Sequence, residues 1–395
     1  MSVSEAPVNF TGSNPVRIYL DHNATTPMAA EVRSAIGNAL AVAGNPSSIH
    51  GEGREARDHI ESARRNVAAM LGASPYDIVF TSGGTEADSL AIVGLARAAV
   101  RRGRPARILT TAIEHPAVLG PCEALRQDGF ELTLVRVDPD GRLDLDDFEA
   151  RCRAGAALAA LSLANHEIGT VQDMRAAAEM AEKQGVLVHC DAVQAGGKSR
   201  IRAPELNLAS LAISAHKFYG PKGIGALWIR GGVDFDPAVP AGHQERGRRP
   251  GTENVLGIVG MGAAAELAIE RLDQDASNTA ELAQRFEARV RDIGDVRIHG
   301  VGAIRIGNTV YVGFDGALGE AVVVALDIAG FAVSTGAACT SGSVEPSPVL
   351  LGMGVSRERA IEAVRFSFGR GNTRQDIDAL LEVLPDIISR SRQFR

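Results

Sequence analysis

A lysine stands where an apolar strand pattern gives out, in Ser214-Ala-His-Lys-Phe-Tyr-Gly-Pro-Lys-Gly, beside a hydroxyl, an imidazole and a glycine-rich turn. A strand-end amine can be desolvated there, which lowers its pKa and makes it a nucleophile toward carbonyls and a proton carrier. Most lysines are simply solvated, so this segment alone leaves both readings open. A second element lies upstream, where Phe80-Thr-Ser-Gly-Gly-Thr-Glu-Ala follows a strand pattern and opens a helical one. Its glycines and Thr85 offer backbone N–H groups and a hydroxyl to an anion at the positive helix end, although a plain helix cap would use the same residues. The segment has neither the GxGxxG spacing nor a terminal Gly-Lys-Ser/Thr, which disfavours dinucleotides and nucleoside triphosphates. A third element, His189-Cys-Asp-Ala-Val-Gln194, puts a carboxylate just past a buried strand. Such an Asp either caps the next helix or needs a cation, for instance a protonated ring nitrogen. A phosphate cradle, a strand-end acid and a strand-end lysine, in that order, together point to pyridoxal phosphate held as a Schiff base.

These residues need a parallel sheet to position them. Short apolar runs at 78–81, 108–111, 132–137, 158–163, 186–190, 211–214 and 226–229 mostly alternate with amphipathic helical stretches. Runs that are apolar throughout, such as Ala-Leu-Ala-Ala-Leu-Ser-Leu, fit strands buried on both faces. Ligands on such sheets bind at the strands' carboxyl ends. After Thr252 a long helical stretch is expected to run to about Asp273. Beyond it come helix, strand and helix patterns with a polar, glycine-containing insert at 298–308. The expected division is a large cofactor-binding domain at 27–273 and a small domain combining 1–26 with 274–395.

The chain has 395 residues, 45% hydrophobic and 23% charged, with 43 glycines and only 4% aromatics. These values suit an α/β protein of more than one domain with many tight turns. A net charge of −7 gives no electrostatic footprint for nucleic acid or an anionic membrane. The opening residues lack a signal-peptide pattern and the apolar stretch near 255–269 is interrupted by Glu266, so a cytoplasmic protein is expected. Cys122, Cys152, Cys190 and Cys339 form no CxxC pair, which argues against a disulfide framework or zinc knuckle. Cys122 and Cys152 fall in helical patterns and Cys190 in a strand, as small buried hydrophobes do. Cys339 differs, because Thr-Gly-Ala-Ala-Cys-Thr-Ser-Gly-Ser is small and glycine-bearing, as expected of an exposed loop carrying a reactive thiolate.

Nine stretches extend this reading: Tyr19-Leu-Asp-His-Asn-Ala-Thr-Thr-Pro27, Gly44-Asn-Pro-Ser-Ser-Ile-His50, Thr81-Ser-Gly-Gly-Thr-Glu86, Glu114-His-Pro-Ala-Val118, His189-Cys-Asp-Ala-Val-Gln194, Ser214-Ala-His-Lys217, Gly242-His-Gln-Glu-Arg-Gly-Arg-Arg-Pro-Gly-Thr-Glu-Asn254, Ser334-Thr-Gly-Ala-Ala-Cys-Thr-Ser-Gly-Ser343 and Val364-Arg-Phe-Ser-Phe-Gly369. Over nearly its whole length the chain resembles the cysteine desulfurases of the NifS/IscS family, NifS type, among the class-V aminotransferase-like pyridoxal phosphate enzymes. The resemblance implies the type I, aspartate-aminotransferase-like fold, with a mainly parallel seven-stranded sheet in the large domain and a smaller α/β domain carrying the Cys339 loop.

It also implies roles. Lys217 would carry the cofactor and move protons at the substrate Cα, Asp191 would pair with the pyridine nitrogen, and Gln194 would reach the phenolic oxygen. Gly84, Thr85, Ser214 and His216 would bind the phosphate, joined by Thr252 from a partner subunit, which implies a homodimer. His115 would stack on the cofactor ring and assist proton transfer, Arg365 would clamp the substrate carboxylate, and Cys339 would take up sulfur. The implied reaction converts L-cysteine to L-alanine, leaving a persulfide for an iron–sulfur cluster scaffold in nitrogenase or general cluster maturation. No resident metal site is implied. Selenocysteine lyase, or another lyase or aminotransferase of this fold, is the alternative. One departure stands out: in Asn165-His-Glu167, His166 occupies a position where the family usually has Asn. His166 is expected to serve cofactor and substrate with an altered pH dependence, because an imidazole can charge near neutral pH.

Overall fold

The structure, a computed structural model, describes residues 17–336 and 345–393. In chain order its strands are β1 (Ile18–Tyr19), β2 (Ile78–Thr81), β3 (Arg107–Thr111), β4 (Glu131–Val135), β5 (Leu158–Ser162), β6 (Leu187–Asp191), β7 (Ser210–Ser214), β8 (Gly225–Ile229), β9 (Val296–Ile298), β10 (Thr309–Phe314), β11 (Phe331–Ala332) and β12 (Ala363–Ser367). The helices are α1 (Ala30–Ala39), α2 (Gly51–Met70), α3 (Gly84–Arg101), α4 (Pro116–Gln127), α5 (Leu145–Arg153), α6 (Met174–Lys183), α7 (Val255–Val290), α8 (Gly319–Ile328), α9 (Pro348–Gly352), α10 (Arg357–Ala360) and α11 (Arg374–Gln393).

Seven strands form one sheet in the order β2-β8-β7-β6-β5-β3-β4, and every expected strand segment lies in it. Strands β3 to β7 pair in parallel, whereas β8 runs antiparallel between β2 and β7. Successive side chains of a strand point to opposite faces, and here both faces are covered. Val79, Leu227 and Ile229 pack with α3 and α4 on one side. Phe80, Ala226 and Trp228 pack with α2, α6 and α7 on the other. This double burial explains why the runs read as continuously apolar. The second sheet, β12-β10-β9, closes a separate core with α8, α11 and the far end of α7.

The long helix differs from expectation. Helix α7 continues unbroken through Asp273 to Val290, 36 residues in all. Its first part, to Ala268, packs into the core beneath the large sheet, and Leu282 to Val290 join the second core. The polar stretch that reads as a boundary spans the gap between these cores and is tied in by its own contacts. Thr279 Oγ1 donates to the Asp275 carbonyl at 2.8 Å, and Arg370 Nε donates to the Asp275 carboxylate at 3.0 Å. The amino-terminal segment belongs to both regions: β1 pairs with β11, and Thr26 N donates to the His216 carbonyl at 2.8 Å.

Candidate active site

The carboxyl ends of β5, β6 and β7 and the start of α3 enclose a cavity of about 250 Å³. Lining it are Gly84, Thr85, His115, His166, Asp191, Gln194, Ser214, His216 and Lys217, so residues spread over more than 130 positions of sequence converge on one space. The remaining cofactor candidate, Thr252, is exposed and lines a different cavity with Thr81, Ser82 and Gly223.

Helix α3 opens the cavity's anion end. Its N-cap, Gly83, supplies no side-chain hydrogen bond, leaving first-turn N–H groups available to a bound anion. Gly84 is required by close approach, since a Cβ there would lie 2.6 Å from Val193 Cγ2. His216 contributes an imidazole whose Nδ1 lies 3.2 Å from Thr25 Oγ1.

At the other end Asp191 accepts a hydrogen bond from Val193 N at 2.8 Å and forms no ion pair among the described residues. Burial, then the nearby charge of Asp88, pushes its pKa up to about 7. Glu114, buried and bonded to Thr111 Oγ1 at 2.8 Å and Ser162 N at 2.8 Å, is likewise raised to about 7, chiefly by burial. Asp88 lies behind them, 3.0 Å from His189 Nε2, and one of its carboxylate oxygens has no partner. A site this rich in buried acids suits a ligand that brings a positive charge.

Lys217 follows β7 in a short 3₁₀ turn, and its Nζ donates to the carbonyls of Asn23 at 2.5 Å and Ala24 at 3.0 Å. Desolvation, then the charge of Arg365, lowers its pKa to about 8, which keeps a useful fraction of free amine near neutral pH. His115 caps α4 by accepting from Ala117 N at 3.0 Å, and burial holds its pKa near 4. Its ring meets His166 edge-on, with centroids 5.0 Å apart.

His166 stands where the chain departs from the usual family residue. Burial first, then His115, Arg365 and Lys217, pushes its pKa well below the ordinary range, which favours the neutral imidazole. Its backbone carbonyl accepts from Arg365 Nη1 at 3.0 Å. Arg365 also pairs with Asp21 at 2.8 Å, while its buried Nε has no partner among the described residues. The backbone of Arg365 pairs with Ser334. Cys339 lies outside the described residues. Just before it, the Thr335 carbonyl accepts from Tyr311 Oη at 2.7 Å, and just after it Ser347 bonds Glu167. Cys122, Cys152 and Cys190 are buried, and burial raises the first two thiols to about 12, which removes them as nucleophiles at neutral pH.

Three participants had no role assigned from the sequence. Asn23 accepts from Lys217 and Gln194 through its carbonyl, Asp88 adds a second carboxylate behind Asp191, and Lys198 contacts both Gln194 and Asn23. The only signal for Asn23 was its place within the Tyr19 to Pro27 stretch. Lys198 gave none. Among the described residues no group of three or more His, Cys, Asp and Glu is placed to hold a metal, and no helix is long and apolar enough to cross a membrane.

An anion cradle on a helix start, a buried acid and a lysine of lowered pKa, lining one cavity at the carboxyl ends of a doubly covered, mainly parallel sheet, fit a pyridoxal-phosphate-dependent enzyme of fold type I. Comparison with known proteins agrees. The sequence profile "Aminotransferase class-V" matches residues 18–380. The chain is 46% identical over 381 residues to a cysteine desulfurase of Cereibacter sphaeroides, covering 95% of this chain and 97% of that one. It is 43% identical over 377 residues to the cysteine desulfurase IscS of Dictyoglomus turgidum, covering 95% of each. A solved NifS-like protein superposes with a TM-score of 0.88 at 35% identity, covering 95% of this chain and all of that one. The chain belongs to the class-V aminotransferase family and, within it, to the NifS/IscS cysteine desulfurases.

Proposed function

We propose that this enzyme converts L-cysteine and its own Cys339 thiol into L-alanine and a Cys339 persulfide, and that an iron–sulfur cluster scaffold accepts the sulfur. The observation that carries this reading is the convergence of Lys217, Asp191, Gln194 and the α3 amino terminus on one cavity. Pyridoxal phosphate, when bound, supplies an electron sink for negative charge developing at the substrate Cα. Gly84, Thr85, Ser214 and His216 would hold its phosphate, Asp191 its ring nitrogen and Gln194 its phenolic oxygen.

The chain's own groups then have separable tasks. Arg365, with its unpartnered Nε, would bind the substrate carboxylate and fix the amino acid's orientation. Lys217, near half deprotonated at pH 8, would take the proton from Cα and return one to the product. His115 and His166 stay neutral and offer a hydrogen bond and a ring face without adding positive charge. The Cys339 thiolate would attack the substrate Sγ: an S–S bond forms and the Cβ–S bond breaks. The electron pair of that bond stays with the carbon frame, and protonation at Cβ gives alanine. Cysteine plus thiol thus becomes alanine plus persulfide, with no external oxidant.

The proposed division of labour gives cofactor binding to 27–273 and the sulfur-carrying segment to 274–395 with the amino-terminal arm. Thr252, outside the cavity of its own chain, would complete the phosphate site of a second copy in a homodimer. The net charge of −7 offers little attraction to nucleic acid or an anionic membrane, and the proposed setting is cytoplasmic, without such partners. Whether the sulfur serves nitrogenase or general cluster maturation is a matter of acceptor, and the general role is the simpler proposal.

The test is to incubate the pyridoxal-phosphate-loaded protein with L-cysteine and quantify alanine and protein-bound sulfane sulfur for wild type and Cys339→Ala. Both products from wild type and neither from the variant are expected. Equal alanine from the two would defeat the sulfur-transfer reading and favour a lyase of the same fold.

A further inference from the structure

We infer that Lys198 is a positioning residue for the cofactor, acting by locking the amide of Gln194 in one of its two orientations. The inference rests on the pyridoxal phosphate reading above and adds a residue to it. The two ends of a glutamine amide have nearly the same shape, so their neighbours decide which end faces which way. Here the neighbours agree. Lys198 Nζ donates to Gln194 Oε1 at 2.9 Å, and Gln194 Nε2 donates to the carbonyl of Asn23 at 3.0 Å. The amide nitrogen keeps a second hydrogen for the cavity that Gln194 lines, where a phenolic oxygen needs a donor.

The local chain geometry makes the contact. After β6 the backbone turns helically, with Gly196 N donating to Ala192 O at 2.8 Å and Ser199 N to Ala195 O at 3.0 Å. Lys198 N donates to the Ala195 carbonyl at 3.0 Å, and the turn brings the Lys198 amine back to Gln194 Oε1. Gly197, at φ +70°, lets this turn close on the Lys217 segment, because a Cβ there would lie 2.4 Å from Phe218 Cβ. The second acceptor of Lys198 is Asn23 Oδ1 at 3.2 Å, and the Asn23 carbonyl also accepts from Lys217. Both recorded partners of the amine are neutral acceptors, so it donates to them whether protonated or not. Burial, then Lys217 and Arg365, lowers its pKa well below the ordinary lysine range, in keeping with an amine without a carboxylate partner.

Without Lys198, only the Asn23 carbonyl would orient the amide, and Gln194 Oε1 would be free to face the phenolic oxygen. A phenolic oxygen that loses its donor holds the neighbouring imine proton more tightly. The decisive readout is therefore the pH midpoint of the visible absorption band of the bound cofactor, measured without substrate. Lys198→Met is expected to raise the midpoint by about one unit and weaken cofactor binding to the apoprotein roughly tenfold, while Lys198→Arg keeps both near wild type. Gln194→Leu should raise the midpoint comparably, and the Lys198→Met/Gln194→Leu double variant should raise it no further. An unchanged midpoint in Lys198→Met, or fully additive shifts, overturns the inference. Lys198→Gln, closer to the native shape, is read the same way if the methionine variant does not fold. A wild type with no visible band would instead defeat the cofactor reading itself.

Discussion

Two regions of this molecule bury charge, and they do so in opposite ways. Beneath the large sheet Arg64 and Glu245 form a bidentate pair at 2.7 and 2.8 Å, with side chains 4% and 2% exposed. Glu245 also accepts from Phe80 N at 3.0 Å, and Arg64 donates to the Ile78 carbonyl at 2.9 Å. Each charge there is matched inside the protein. Asp191 and Glu114 at or past the strand ends and Asp88 in α3 are also buried, but they meet hydroxyls, backbone N–H groups and a neutral imidazole, with no Lys or Arg salt bridge among the described residues. A matched pair holds a chain segment in place, whereas unmatched acids hold a site ready for a cationic ligand. Glu245 and Arg246 support the first half of this contrast, since both sit at positive φ, a conformation maintained by surrounding contacts.

Breaking the matched pair should have the largest effect. Arg64→Ala strands the Glu245 carboxylate in the core and is expected to cost roughly 3–5 kcal/mol, seen as a lowered unfolding midpoint in denaturant. Replacing both partners by apolar residues of similar volume should cost clearly less than the single change. If the double replacement is as damaging as the single one, Arg64 and Glu245 matter for shape and not as a charge pair.

The unmatched acids should reveal themselves through pH. Asp191 and Glu114 both titrate near 7 in the folded apoprotein, well above their unfolded values near 4. Between about pH 4 and 7 the folded state therefore binds more protons than the unfolded one, and stability falls as pH rises, by roughly 1 kcal/mol per pH unit for each group. Above pH 7 that contribution levels off. Apoprotein melting temperatures should decline across this window. Asp191→Asn should flatten part of the decline, and the cofactor-loaded protein should show less of it. An apoprotein whose melting temperature is level from pH 4 to 7 would mean that the acids are matched after all.

The sequence reveals most of one half of this contrast. Lys217, Asp191 and the Gly84–Thr85 turn are readable because each sits where an apolar strand run ends or a helix run begins, and α/β sheets gather such positions at one edge. Asn23 is not readable in the same way. Its bonds reach Gln194 and Lys217, 171 and 194 positions away, and no local pattern records that. The matched pair is equally hidden, because Arg64 and Glu245 lie 181 residues apart, and the motif stretch that holds Glu245 does not point to Arg64. The continuity of α7 through Asp273 escapes pattern reading for a different reason. Its polar middle faces the gap between two cores, so the apolar period lapses while the helix persists.

The charge state of His166 was the finest detail that the sequence could not fix, and it gives the smallest predicted effect. Its residue type announces a group able to titrate near neutral pH, yet the fold surrounds it with His115, Arg365 and Lys217 and withdraws it from water. Glu167 is the carboxylate nearest to it, at 3.7 Å from Nε2, too far for a hydrogen bond, and burial raises that acid to about 7. A neutral imidazole replaced by a neutral amide removes no charge above pH 6. His166→Asn should therefore leave the pH profile of kcat/KM between pH 6 and 9 within about 0.3 units of wild type, and change its height by less than roughly tenfold through one altered hydrogen bond. Profiles of both proteins measured with L-cysteine decide the point. A wild-type acid limb near pH 6.5 that vanishes in the variant would show that His166 gains a proton at neutral pH, and the site would then hold a titrating cation of its own beside the unmatched acids.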